Sequence, residues 1–207
     1  MSELTNTEKE RKFWSNRYAK ELTGWDIGYP SIPLKDYIDQ LENKSIKILI
    51  PGAGNSYEAE YLFRLGFNQV YILDIAQDPL IRFQKRLPDF PGTHIIQGNF
   101  FEHEGSYDLI LEQTFFCSFP PVPKNRMLYA KKMYELLKVN GKLVGLWFDF
   151  PLTGHMEQRP FGGDKDEYWS YLSPFFECKV FEKCINSIPQ RMNSELFGIF
   201  IKKDKSE

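Results

Sequence analysis

Beyond residue 45 the chain alternates between two hydrophobic rhythms. Short runs that are apolar almost throughout, IKILI (46–50), VYILDI (70–75), HIIQG (94–98), YDLILE (107–112) and KLVGLWF (142–148), are separated by stretches with helical spacing. The helical stretches fall at about 55–65, through Phe83, and at about 124–137. Apolar residues at nearly every position, rather than every second one, predict strands buried on both faces, and helices between them predict parallel neighbours. An α/β chain follows, mostly parallel and covered on two sides. The rhythm then changes: FECKVFEKCI (176–185) and ELFGIFIKK (195–203) lie too close for a crossover helix, which predicts an antiparallel hairpin at one sheet edge, preceded by a helix at about 164–172.

The first 44 residues follow neither rhythm. KFWSNRYAKELTGWDIGYPSIPLKDYIDQL places Trp14, Tyr18, Trp25 and Tyr29 ahead of the first strand, and Pro30 and Pro33 interrupt it before an amphipathic helix at about 34–42. We expect a helical lid over residues 1–44, an α/β core over 45–204 and one domain in all, a size that 207 residues suit. Net charge is -2 without a long basic run, which argues against nucleic acid as a partner, and no apolar stretch approaches the length of a membrane span. Three cysteines, Cys117, Cys178 and Cys184, form no C-x-x-C pair; an odd count suits a reducing, cytoplasmic setting with buried free thiols. At 16% the aromatic share is high, so a bulky core is expected, with clustering to decide whether some rings serve a site.

Candidate chemistry collects at the carboxyl ends of the strands, where open α/β sheets bind ligands. Pro51-Gly52-Ala53-Gly54 follows the first strand, but the third position of a G-x-G-x-x-G fingerprint is Tyr57. Such a turn either brings backbone close to a ligand or simply makes a tight strand-to-helix connection. Asp74 ends the next strand twenty residues after Gly54, where a carboxylate can accept from both hydroxyls of a ribose or cap the following helix. A dinucleotide needs the third glycine beneath its pyrophosphate, whereas S-adenosylmethionine has no phosphate to cradle. The glutamates Glu58 and Glu60 suit a helix N-terminus but repel phosphate. Asn99 with Phe100 can bond and pack an adenine, and Glu112 to Cys117 closes the fourth strand where the reacting group should sit.

F-W-x-x-R-Y (13–18), T-G-W-D (23–26), I-P-G-x-G (50–54), L-D-I (73–75), G-N-F-F (98–101), Y-D-L-I-x-E-x-T-F-F-C (107–117) and P-F-G-G (160–163) together resemble the thiopurine S-methyltransferase superfamily, including its halide and thiol methyltransferase branch. The resemblance spans roughly residues 11 to 203 and implies a Rossmann-like seven-stranded methyltransferase fold that binds S-adenosylmethionine. It places Trp14, Tyr18 and Trp25 over the cofactor, Pro51, Gly52 and Gly54 at the methionine side, Asp74 and Ile75 at the ribose, and Asn99 with Phe100 at adenine. Glu112 and Thr114 come near the sulfonium, and Phe115, Arg126 and Phe161 near the acceptor. Three features depart from the pattern: Asn99 stands where much of the family has Asp, Tyr18 where Trp is usual, and Ser118-Phe119-Pro120-Pro121 replaces a small-acidic-Pro stretch.

Methyl transfer from a sulfonium is an in-line displacement that rests on alignment and needs no obligatory acid or base. Neither a catalytic side chain nor a metal site is therefore expected, and His94, His103 and His155 read as structural or surface residues. Trp14 and Trp25 either surround the sulfonium, which rings attract, or pin the first helix. Arg126, opening a helix after a proline-rich loop, either attracts an anionic acceptor or is solvated. The expectation is a monomeric S-adenosylmethionine-dependent methyltransferase with a small-molecule acceptor, a thiol sulfur or a halide or thiocyanate. An O- or N-methyltransferase, a non-catalytic S-adenosylmethionine-binding protein and, more remotely, an NAD oxidoreductase remain as alternatives.

Overall fold

Each of the five apolar runs forms a strand: β1 (Ile48–Pro51), β2 (Val70–Asp74), β3 (Ile95–Gln97), β4 (Tyr107–Gln113) and β5 (Leu137–Phe148). The computed structural model describes residues 7–151 and 159–204. The first five strands are parallel, and the last two, β6 (Phe176–Lys183) and β7 (Glu195–Lys202), form the expected hairpin. Sheet order is β3-β2-β1-β4-β5-β7-β6, with β7 between β5 and β6 and antiparallel to both. This is the seven-stranded arrangement that the resemblance implies.

The absence of alternation in the strands has its reason in two cores. Leu49, Ile110 and Leu143 pack towards α5 (Pro123–Leu136) and α6 (Lys165–Leu172) through Tyr129, Met133 and Leu172. Ile48, Ile50, Leu109 and Leu111 pack towards α2 (Ile32–Asp39), α3 (Tyr57–Arg64) and α4 (Gln77–Arg86) through Ile38, Leu62 and Phe83. Neighbouring strand residues thus feed opposite layers, so every position is apolar. Pro33 lies inside the first turn of α2 rather than ahead of it, because a proline there forfeits no helical hydrogen bond. Strand β5 begins at Leu137, directly after α5, five residues earlier than its apolar run. Cys117 and Cys184 are buried, but Cys178 is exposed on the edge strand β6. Among the described residues no helix is long and apolar enough to cross a membrane.

Candidate active site

The parallel strands end on one side of the sheet, and a cavity of about 530 Å³ opens there, a volume suited to a small organic molecule. Helix α1 (Thr7–Ala19) and the segment after it cover it. From this cover come Trp14, Tyr18 and Trp25; Trp25 stands edge-on to Trp14 at 5.4 Å and to Tyr18 at 5.7 Å. The cover is also pinned. Arg82 donates to the Tyr18 carbonyl at 3.3 Å, Arg191 to the Trp25 carbonyl at 2.7 Å, and Asn55 bonds Asp26. Lining the cavity and anchoring the helix are therefore combined in one segment.

Asp74 sits at the cavity floor, only 7% exposed. One carboxylate oxygen accepts the Gly54 amide at 2.9 Å and the other the Ala76 amide at 2.8 Å. Burial pushes the carboxyl up to about 6 against the pull of these amides. Each oxygen retains a second lone pair, so the group can still accept from ligand hydroxyls. Gly52 and Gly54 have φ of +59° and +53°, the left-handed region that favours glycine. At Gly52 the group that needs the space is Phe115: a Cβ would come 2.0 Å from its Cδ2. At Gly54 a Cβ would come 3.0 Å from the Tyr18 hydroxyl. The glycine turn thus accommodates both the cover, through Tyr18, and the Phe115 ring.

The other predicted residues divide into three groups. Ile75, Asn99, Phe100, Thr114 and Phe115 line the main cavity with Gly52, while Pro51 and Gly54 line a smaller cleft that shares Trp25, Gly52 and Thr114 with it. Asn99 holds structure as well: its Oδ1 accepts the Phe101 amide at 3.0 Å, and its Nδ2 donates to Thr7 at 2.9 Å and Glu102 at 3.0 Å. Both of its N–H donors are engaged, which leaves one oxygen lone pair for a ligand.

Glu112, Arg126 and Phe161 do not line the cavity; each is fully buried. Glu112 Oε1 accepts the amides of Phe115 at 2.8 Å and Phe116 at 3.0 Å, fastening the turn after β4. Burial, aided by Glu195, pushes it up to about 8, so it is held neutral at pH 7. Arg126, assigned by resemblance to the acceptor, faces away from the cavity: it pairs with Glu167 at 2.7 Å, donates to the Gly162 carbonyl at 2.8 Å and lies 4.9 Å from the Phe116 ring centre. Phe161 donates its amide to the Cys117 carbonyl and packs behind the wall.

Several cavity residues escaped the sequence reading, and two more, Cys117 and Phe119, lie in stretches it singled out without giving them a role. Arg159 donates from Nε to the Ser118 carbonyl at 2.6 Å and pairs with Glu10 at 3.0 Å, joining the loop after β4 to the cover. Phe119, Phe148 and Phe150 continue the aromatic wall. Arg191 reaches the cavity from the connection before β7. That position was readable in principle: Phe148, at the carboxyl end of β5, pairs with Glu195 at the start of antiparallel β7, so the preceding residues must come to the same rim. Cys117 also lines the cavity, its thiol pushed up by burial and by Glu112. His94 stacks on Tyr71 at 4.0 Å and His103 bonds the Tyr107 hydroxyl at 2.8 Å, both away from the cavity; His155 lies outside the described residues. Among the described residues no group of His, Cys, Asp and Glu could hold a metal ion.

A buried carboxylate beside a glycine turn, aromatic walls and a cover of rings suit a nucleoside with a cationic, phosphate-free tail. The sheet order and this site at the strand ends define the class: a Rossmann-like methyltransferase. Residues 9–206 match the thiopurine S-methyltransferase family, and the chain belongs to it. It is an S-adenosylmethionine-dependent methyltransferase. Relatives include thiocyanate methyltransferase 1 of Arabidopsis thaliana, 26% identical over 89% of this chain and 82% of its own. A probable thiol methyltransferase 2 of the same plant is 28% identical over 78% of this chain and 71% of its own. Magnesium protoporphyrin IX methyltransferase of Synechocystis, solved with bound S-adenosylmethionine, shares the fold at a TM-score of 0.73 and 11% identity, covering 98% of this chain and all of its own.

Proposed function

We propose that the methyl acceptor is a small soft nucleophile that reacts as an anion, a thiol as its thiolate, with halide and thiocyanate as close counterparts. One observation carries this reading: among the described residues, no side chain lining the cavity offers a free base. Glu10 is paired with Arg159, Asp74 is held by two amides and in our reading gives its remaining lone pairs to the ribose hydroxyls, burial raises the Cys117 thiol, and no histidine is present in the lining. A hydroxyl or ammonium acceptor would call for a positioned base. A thiol of pKa near 8.5 brings a few per cent thiolate at neutral pH, and a halide needs no deprotonation. The thiocyanate and thiol methyltransferases among the relatives support the same class.

S-adenosylmethionine, when bound, supplies a methyl carbon on a positively charged sulfur, open to in-line displacement. In our reading this chain contributes orientation and dryness. Asp74 takes the ribose hydroxyls, Gly52 and Gly54 admit the methionine side, and Asn99 with Phe100 meets the adenine. Trp14, Tyr18 and Trp25 face the cation with π-clouds, each contact contributing about 0.5–2 kcal/mol when desolvated. Phe115 and Phe119, 4.8 Å apart, keep water from the incoming nucleophile. Alignment of this kind can supply roughly 7–11 kcal/mol of barrier reduction. Within the N-terminal segment, α1 and the residues through Trp25 act as the cover of a single domain while α2 packs on the sheet, and three free cysteines support a cytoplasmic setting. The test is the pH dependence of initial rate between pH 7 and 9 at saturating cofactor. The thiol rate should follow the thiol's own ionisation while the thiocyanate rate stays flat; a titrating limb in the thiocyanate rate would reveal an enzyme base and contradict the proposal.

A further inference from the structure

Three arginines line the cavity, and they differ in what they face. Arg159 meets the carboxylate of Glu10 and the carbonyl of Ser118. Arg191 meets Glu195 at 3.3 Å and the carbonyl of Trp25. Arg17 has neither. Among the described residues it forms no ion pair, and its Nε is buried without a hydrogen-bond partner. Its guanidinium carbon lies 5.5 Å from the Trp25 ring centre and 5.9 Å from that of Phe13. Contact with ring faces steadies the head group but satisfies none of its N–H donors.

A buried donor without an acceptor is costly, so this Nε, on a half-buried side chain beside a cavity, suits an acceptor brought by a ligand. The charge balance agrees. Glu10 offsets Arg159 and Glu195 offsets Arg191, while among the described residues no carboxylate lies within ion-pair distance of Arg17. A guanidinium offers a planar fork that grips a carboxylate with two bonds or a softer anion with one.

We propose that Arg17 is the anion-binding residue of this cavity, taking the negatively charged group of a bound small molecule. Two ligands carry such a group: the cofactor, through its carboxylate, and an acceptor that arrives as an anion. The proposal rests on the cavity being the methyl-transfer site. Arg17 reaches into it from the cover, so the bond would join the cover to whatever lies beneath.

The experiment compares wild type, Arg17→Gln and Arg17→Lys by calorimetric titration with S-adenosylhomocysteine and with 5′-methylthioadenosine, which lacks the amino-acid end. The Michaelis constant for thiocyanate at saturating cofactor is measured alongside. One charge-assisted hydrogen bond corresponds to about tenfold or more in affinity. If the cofactor carboxylate is the ligand, Arg17→Gln weakens S-adenosylhomocysteine by that factor and leaves 5′-methylthioadenosine unchanged. If the acceptor is the ligand, both nucleosides bind as in wild type and the thiocyanate constant rises instead. In either case Arg17→Lys, which keeps the charge but loses the fork and the ring contact, falls between wild type and Arg17→Gln. A folded Arg17→Gln protein with wild-type values throughout, or with equal losses on both nucleosides, overturns the proposal. Failure of the wild-type protein to bind S-adenosylhomocysteine would instead contradict the placement of the methyl-transfer site.

Discussion

The two ends of the cavity that we assign to the cofactor and to the acceptor are built by different rules. At the floor of the cofactor end the two-glycine turn and Asp74 come from two adjacent parallel strands and the turns that follow them; the bond from Gly54 to Asp74 spans 20 residues. At the acceptor end the contacts close across the chain: Ser118 to Arg159 over 41 residues and Glu10 to Arg159 over 149. One end is a local backbone device, the other a tertiary clasp that exists only once the cover has docked. Damage should therefore appear as lost cofactor affinity at the first and as altered acceptor handling at the second.

The largest effect should come from Asp74→Asn. It replaces one oxygen that accepts a backbone amide with a second donor and removes the charge presented to the ribose. We expect cofactor affinity to fall by about a hundredfold or more, read by calorimetry, with thermal unfolding reporting whether the fold survives. Wild-type affinity should also depend on pH. Hydroxyls bond the ionised carboxylate better, so with a free-protein value of about 6 binding is level above pH 6 and weakens as pH falls below it. An Asp74→Asn protein with the wild-type pH profile would remove Asp74 as its cause.

Next in size is Gly52→Ala, where the two ends touch. The new methyl would overlap the Phe115 ring on a backbone already at positive φ, a strain on the order of 1–3 kcal/mol. Denaturant melts should show that loss, and Phe115→Leu added to Gly52→Ala should recover part of it. Simple addition of the two effects would mean that the ring is not what the glycine accommodates.

The smallest effect belongs to the clasp. Arg159 and Glu10 are about one-sixth exposed, so Glu10→Gln should cost no more than about 1 kcal/mol of stability. Its signature is selective: the Michaelis constant of the acceptor should rise several-fold while cofactor affinity stays near wild type. Equal change in both would erase the distinction between the ends.

The same division explains what the sequence reading reached. Strands with no polar face, the two-glycine turn and an acidic residue closing the next strand are written into contiguous stretches, so Gly52, Gly54 and Asp74 could be placed by spacing. The hairpin was readable because the nine residues between the runs 176–185 and 195–203 leave no space for a crossover. Arg126 was not: a helix start after a proline-rich loop looks solvated until Glu167, 41 residues later, is known to meet it. Glu112 looked like a site carboxylate because it ends a strand, yet its side chain turns back to hold two amides of the following turn. Phe161 lies in a motif whose neighbours, Arg159 and Pro160, line the cavity while it packs behind them. Arg159 and Arg191 carried no local signal, since each is defined by partners remote in sequence.

The central claim, that the cavity serves a soft nucleophile arriving as an anion, is tested most directly by methyl transfer from labelled S-adenosylmethionine to a matched panel: sulfide and small thiols, thiocyanate and iodide, against phenols, alcohols and amines of similar size. The account predicts methylated sulfur or halide products and none on oxygen or nitrogen. Turnover confined to an alcohol, phenol or amine would contradict it.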